Sequence, residues 1–162
     1  MGELIHKEAV SEKLLENNIV IATAVVDMYA KYGFLSKAQE VLEKLPRRTL
    51  VSWNALIGGY VQHEQSKEAI DCYERLQSEG LCPDIITYVC ILKACGIIRA
   101  IDRGKEVHDE IICRGLLMES LELGNALVDM YVTFGMLPKA QQVFNELPNR
   151  VDVYSFCKAL EP

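Results

Sequence analysis

The residues of this chain best suited to metal or nucleophilic chemistry are three histidines and six cysteines, and their spacing yields only fragments of a site. His108-Asp109-Glu110 has the His-x-Glu spacing that gives zinc deaminases a metal ligand and an acid–base glutamate. The second half of that signature, Pro-Cys-x-x-Cys, is missing: Cys72, Cys82, Cys90, Cys95, Cys113 and Cys157 include no Cys-x-x-Cys pair. The match is read as coincidence. His6 and His63 have no partners at ligand spacing. The sequence holds no Gly-x-Ser-x-Gly turn and no P-loop. The expectation is a chain without catalytic activity, metal or cofactor. Its cysteines are expected to be reduced thiols packed as small apolar groups.

Charge narrows the binding classes. The net charge is −6 and the isoelectric point about 5.1, which counts against nonspecific affinity for nucleic acid, because that rests on Lys and Arg neutralising phosphates. No apolar run reaches the roughly 18 residues a bilayer span needs, so no membrane partner is expected. Residues 1–8 show neither the apolar stretch of a secretory signal nor the Arg-rich, acid-poor composition of a transit peptide. His6 breaks the myristoylation pattern that Met1-Gly2 begins.

The elements that would position any site come from a duplication. Val26-Asp27-Met28-Tyr29, Lys37-Ala38-Gln39 and Leu45-Pro46 recur 102 residues later as Val128-Asp129-Met130-Tyr131, Lys139-Ala140-Gln141 and Leu147-Pro148. Residues 19–49 and 121–151 align without gaps at 14 identities in 31 positions. Such a long period marks a repeat array, an architecture that usually binds rather than catalyses. Between the copies the pattern is helical. Trp53, Leu56, Ile57, Tyr60 and Val61 fall on one helix face, and Ala69, Tyr73 and Leu76 continue a stripe on the next. Ser66 is expected to cap that second helix, with Gly80 and Pro83 ending it. Gly96 is expected to break the next pair, whose second helix runs from about Ala100 to Arg114 and stops at Gly115. Gly33 and Gly135 divide the duplicated pairs, whose second helices start near Ser36 and Pro138. No segment alternates like a strand. A single helix pair cannot bury its apolar face alone, so neighbouring pairs must stack. The predicted fold is all-α, a right-handed superhelical solenoid of stacked helix-turn-helix repeats, with the Met, Tyr and Trp stripe as core.

Repeat phase sets the units. They run 19–49, 50–84 and 85–120, with lengths of 31, 35 and 36 residues that together make the offset of 102, and the short form returns at 121–151. Residues 1–18 read as part of a preceding long unit, since Gly2-Glu3-Leu4-Ile5-His6 parallels Gly104-Lys105-Glu106-Val107-His108. Residues 152–162 read as the start of another unit. The whole, 1–162, is one array.

The chain resembles the pentatricopeptide repeat family, in particular its plant class with alternating short, standard and long units. The residues carrying the resemblance are Val51-Ser52-Trp53-Asn54-Ala55-Leu56-Ile57-Gly58-Gly59-Tyr60, Asp27-Met28-Tyr29-Ala30-Lys31-Tyr32-Gly33, Gly104-Lys105-Glu106-Val107-His108 and the Leu-Pro-x-Arg endings at 45–48 and 147–150. The resemblance implies single-stranded RNA binding at one nucleotide per unit, in a mitochondrion or chloroplast, most often for C-to-U editing or other RNA processing. It also implies organellar editing-factor proteins as partners. By the family's alignment the base-reading positions are the fifth and last of each unit: Thr23 with Thr49, Asn54 with Asp84, Val89 with Ser120, Asn125 with Val151. The second positions, Val20, Val51, Ile86 and Glu122, flank the bases. Asn54 with Asp84 implies uridine, and the full readout is purine–U–any–pyrimidine. Asn offers a donor and an acceptor and Asp only acceptors, so such a pair can tell base edges apart. The structural alternative is that Asn54 caps or satisfies a helix start and Asp84 caps the following helix.

Two other readings compete. One is a protein-binding helical scaffold: Trp53, Leu56 and Tyr60 approach the tetratricopeptide pattern, although that pattern wants Gly where Ile57 stands and a uniform period of about 34 residues. The other is a truncated remnant of a longer editing factor, whose uncapped ends would promote self-association.

Overall fold

The computed structural model describes residues 18–147. Val151, Pro148, Cys157, the partial unit at 152–162 and all but Asn18 of the partial unit at 1–18 lie outside the described residues. Within them every regular element is helical: α1 (Ile19–Lys31), α2 (Leu35–Lys44), α3 (Leu50–Gln62), α4 (Ser66–Ser78), α5 (Ile85–Ile98), α6 (Ile101–Cys113), a 3-10 turn (Leu116–Met118), α7 (Leu121–Thr133) and α8 (Leu137–Glu146). The chain forms two compact units, one up to Thr87 and one from Tyr88 on, with the division inside α5.

In the first unit α1 packs on α2 and α3 on α4, each pair joined by a short turn, and the first helices α1 and α3 lie against each other. In the second unit α7 packs on α8, and the 3-10 turn packs on both α6 and α7. This is the expected stack of helix-turn-helix repeats. The first helices are apolar over much of their circumference, because they meet neighbours on more than one side. The second helices carry a single apolar stripe, as in α4, where Ala69, Ile70, Cys72, Tyr73 and Leu76 are buried. Trp53, Leu56, Ile57 and Tyr60 are buried as the stripe requires. In the second unit Tyr88, Ile91, Leu92, Ile111, Leu123 and Tyr131 form the corresponding core.

One motif makes the turn inside every helix pair. One or two residues past the end of the first helix a residue takes a left-handed conformation, and two backbone bonds fold the chain back. Gly33 (φ 80°) donates to Ala30 O at 3.2 Å while Phe34 N–H reaches Tyr29 O at 2.9 Å. Gly135 (φ 74°) repeats this with Val132 and Tyr131. This is the Schellman closure, which satisfies the last carbonyls of the helix. In the other two pairs Glu64 (φ 61°) and Arg99 (φ 55°) occupy the position that favours glycine. Gly96 therefore breaks nothing. It lies within α5, and its carbonyl accepts the N–H of Arg99, whose guanidinium also donates to Thr133 O at 2.8 Å. Ser66 is not a cap either. It is the first residue of α4, with a buried hydroxyl that has no hydrogen-bond partner among the described residues. Phe34, Gln65, Ala100 and Met136 precede the second helices with ψ between 56° and 74° and no side-chain cap. The turn delivers the chain straight into the helix, so Ser36 and Pro138 sit at the second helical position.

Close approach of α1 and α3 depends on Gly59. A Cβ added there would stand 2.5 Å from Ala30 Cβ, whereas one at Gly58 would meet nothing within 4 Å. Gly59→Ala should destabilise the chain by roughly 1–3 kcal/mol through overpacking. Gly58→Ala should stabilise it by up to about 1 kcal/mol through helix propensity. Urea unfolding followed by circular dichroism measures both, and equal effects would contradict this packing.

Candidate nucleic-acid interface

The site is built from the starts of the first helices. Each is capped by the residue before it. Asn18 Oδ1 accepts the N–H groups of Val20 and Ile21 at 3.2 and 3.4 Å. Thr49 Oγ1 accepts from Ser52 N at 3.2 Å, Asp84 Oδ1 from Thr87 N at 2.9 Å, and Ser120 Oγ from Leu123 N at 3.2 Å. Two caps are reciprocal: Ser52 Oγ accepts from Thr49 N at 3.0 Å, and Thr87 Oγ1 from Asp84 N at 3.2 Å. Thr49, Asp84 and Ser120 are the last positions of their units, so the residues assigned to base reading also start the helices.

In the first unit a groove of about 700 Å³ opens beside the starts of α1, α3 and α5. Val20, Thr23, Thr49, Val51, Asn54 and Ile86 all line it. Val20, Val51 and Ile86 sit at the same register of three successive first helices and are 73%, 67% and 61% exposed. Large aliphatic side chains this exposed, repeated in register, form a surface rather than a core.

Asp84 closes onto Asn54. Asn54 Nδ2 donates to Asp84 Oδ1 at 3.0 Å, and the Thr87 hydroxyl lies 2.7 Å from Asn54 Oδ1 and 2.8 Å from Asp84 Oδ1. Partial burial pushes the Asp84 carboxyl up, but the hydrogen bonds from Thr87 and Asn54 outweigh it and hold its pKa below the ordinary value. Asp84 is therefore ionised and acceptor-only at neutral pH. These hydrogen bonds from Asn54 and Thr87 all fall on Oδ1. Asp27 also lines the groove and is paired with Lys31 at 2.7 Å.

A brace behind the groove fixes where α3 begins. Glu79, just past α4, accepts from Trp53 Nε1 at 3.0 Å and from Arg48 Nε at 2.7 Å. Arg75 lies over the Trp53 ring at 5.3 Å and pairs with Glu43 at 3.1 Å. Arg48 adjoins the Thr49 cap, so this part-buried pair holds the segment that carries Thr49 and Val51.

The other assigned residues that the structure describes belong to the second unit. Val89 is only 5% exposed. Ser120 caps α7, Asn125 is half-buried one turn further on, and Glu122 is exposed in the same first turn. The sequence reading missed Asn18 and Thr87. Asn18 was legible as the last residue of the partial unit at 1–18. Thr87 was legible from spacing, since Asp84-Ile85-Ile86-Thr87 repeats the cap-x-x-hydroxyl pattern of Thr49-Leu50-Val51-Ser52.

The His-x-Glu segment has structural partners. His108 Nδ1 lies 2.8 Å from Tyr131 OH, and Glu110 accepts from Tyr88 OH at 2.7 Å. Among the described residues no group of His, Cys, Asp or Glu is arranged to hold a metal ion. Five described cysteines are free, and burial pushes the Cys72 thiol up to about 12 and Cys95 to about 11. No described helix is long and apolar enough to cross a membrane.

Comparison with known proteins adds a second line. Residues 48–96 match the PPR repeat family, and residues 20–50 and 125–150 match the PPR repeat. A putative mitochondrial pentatricopeptide repeat-containing protein of Arabidopsis thaliana is 35% identical over 153 residues, 94% of this chain and 24% of that protein. A second mitochondrial one is 37% identical over 148 residues, 91% of this chain and 14% of its own length. A chloroplastic one is 32% identical over 151 residues, 93% of this chain and 18% of its own length. The chain thus spans about a quarter or less of these relatives.

Two outcomes follow from the caps and the buried histidine. Asp84→Ala should cost about 1 kcal/mol of stability in urea unfolding and Asp84→Asn distinctly less, because asparagine still caps α5. Burial depresses the His108 pKa below its ordinary 6.5, so the neutral ring is the folded form. Its contribution is present above the unfolded pKa of about 6.5 and is lost as pH falls through the folded value. The melting temperature should fall between pH 7 and pH 5.5, and His108→Gln should flatten that slope.

Proposed function

The chain belongs to the pentatricopeptide repeat family, and from that premise we propose that it binds single-stranded RNA along the starts of its first helices. One observation carries the reading: exposed Val20, Val51 and Ile86 recur in register beside the polar pair Asn54–Asp84. An unpaired base has two apolar faces and one polar edge. Aliphatic side chains on neighbouring helices can cover the faces while the amide and carboxylate meet the edge. In this reading Thr23 with Thr49 and Asn54 with Asp84 address successive nucleotides; in the second unit the same alignment assigns Asn125 with Val151, and Val89 with Ser120, although Val89 is buried.

The finer statements belong to the same proposal. The alternation of 31, 35 and 36 residues supports the plant class with unlike unit lengths, and through it C-to-U editing of organellar transcripts. The mitochondrial and chloroplastic names of the relatives support an organellar site of action. Organellar editing-factor proteins and a second copy of the chain are the protein partners this reading carries. Among the described residues no Lys or Arg lines the groove, and Asp27 does. Affinity therefore rests on base contacts, and the salt dependence should be shallow for an RNA binder. The same feature favours the second reading, a peptide-binding helical scaffold.

Selection from a random RNA pool tests the proposal. Uridine enriched in one fixed register is the expected result, and Asn54→Ala should weaken binding to the selected RNA severalfold while leaving the helical circular dichroism unchanged. A pool that shows no enrichment favours the scaffold.

A further inference from the structure

Thr87 lies outside the assigned reading positions, yet its side chain meets both members of the polar pair. It is fully buried at 0% exposure, so RNA in the groove does not touch it. Its hydroxyl has one proton and two acceptors within reach, Asn54 Oδ1 at 2.7 Å and Asp84 Oδ1 at 2.8 Å. Asp84 Oδ1 already receives the Thr87 N–H and the Asn54 amide N–H. The proton therefore belongs to Asn54 Oδ1, which has no other donor among the described contacts. A carboxylate only accepts, so the Asn54 nitrogen must face Asp84 and the oxygen must face Thr87.

We infer that Thr87 is a positioning residue that fixes the orientation of the Asn54 amide and thereby sets which pyrimidine the groove accepts. The inference rests on the RNA-binding reading above. A freely turning asparagine can exchange its donor and acceptor by rotating half a turn. Uracil presents an acceptor, O4, beside a donor, N3–H, and cytosine presents a donor, the N4 amine, beside an acceptor, N3. A rotating amide would match both edges. Held at each end, the amide keeps one N–H and one lone pair in a fixed order and matches one edge. Reversal would break two hydrogen bonds and set the carbonyl oxygen against a carboxylate. Without the hydroxyl, only Asp84 opposes reversal.

The test uses the 162-residue chain and four single-stranded RNAs that differ only at N in a purine–N–any–pyrimidine frame. Fluorescence anisotropy gives the Kd for each. The unsubstituted chain should prefer U over C. Thr87→Val replaces the hydroxyl with a methyl, and the preference should shrink by about three- to tenfold, the worth of one hydrogen bond. Thr87→Ser restores a hydroxyl and should restore the preference. A folded Thr87→Val chain with the original preference overturns the inference. So does an equal loss of affinity for all four RNAs, the mark of a merely structural role. Should the valine variant not fold, a folded serine variant that lacks the preference overturns it as well. An unsubstituted chain with no base preference overturns the RNA reading itself, and the inference with it.

Discussion

Each described repeat depends on a side-chain oxygen placed one residue before its first helix. A helix start leaves backbone N–H groups without partners, and they must be satisfied where the chain emerges from a loop. Asn18, Thr49, Asp84 and Ser120 do this at α1, α3, α5 and α7. The cap fixes where the helix begins, and so fixes which residue stands second and which stands fifth. Val20, Val51 and Ile86 share a register because their caps do. In the proposed reading the site and the helix start are one piece of structure, and a residue at the last position serves two demands. Asp84 meets both, because a carboxylate oxygen accepts from the Thr87 backbone and from the Asn54 amide together. Thr49 and Ser120 have a single hydroxyl to divide.

Packing holds these starts in place from behind. In the first unit, α1 and α3 approach closely enough that Gly59 has no room for a Cβ. Glu79 ties the Trp53 indole and Arg48 together at the loop that leads into α3. In the second unit His108 sits neutral against Tyr131, and the Tyr88 hydroxyl receives Arg114 while donating to Glu110. These polar contacts behind the apolar core fix the orientation of large aromatic residues that could otherwise pack in several ways.

The duplicated copies show how far sequence pattern carries and where it stops. The break after each first helix was legible at Gly33 and Gly135, since glycine is the residue that adopts a left-handed turn at least cost. At the other two turns the same geometry falls on Glu64 and Arg99, which carry no such signal. The glycine that did draw attention, Gly96, lies inside α5. Ser66 misled in the same way. A serine at a helix start is usually a cap, but a chain leaving a Schellman turn is already aligned with the next helix and needs none. The paired hydroxyl at Thr87 was visible as spacing, yet its meaning was not, because nothing local to 84–87 reveals that Asn54, 30 residues before Asp84, reaches the same oxygen.

By itself the sequence determined the helical class, the repeat lengths and the residue types offered at each register, because periodicity and duplication are properties of the chain. It also placed Val20, Val51 and Ile86 at equivalent second positions and Asn54 at a fifth position. Tertiary structure alone decided which of these face a common groove and which, like Val89, are buried. It decided the contacts of Asn54 as well. Hydrogen bonds and exposure depend on distances between segments far apart in the chain, and those distances exist only once the helices have packed.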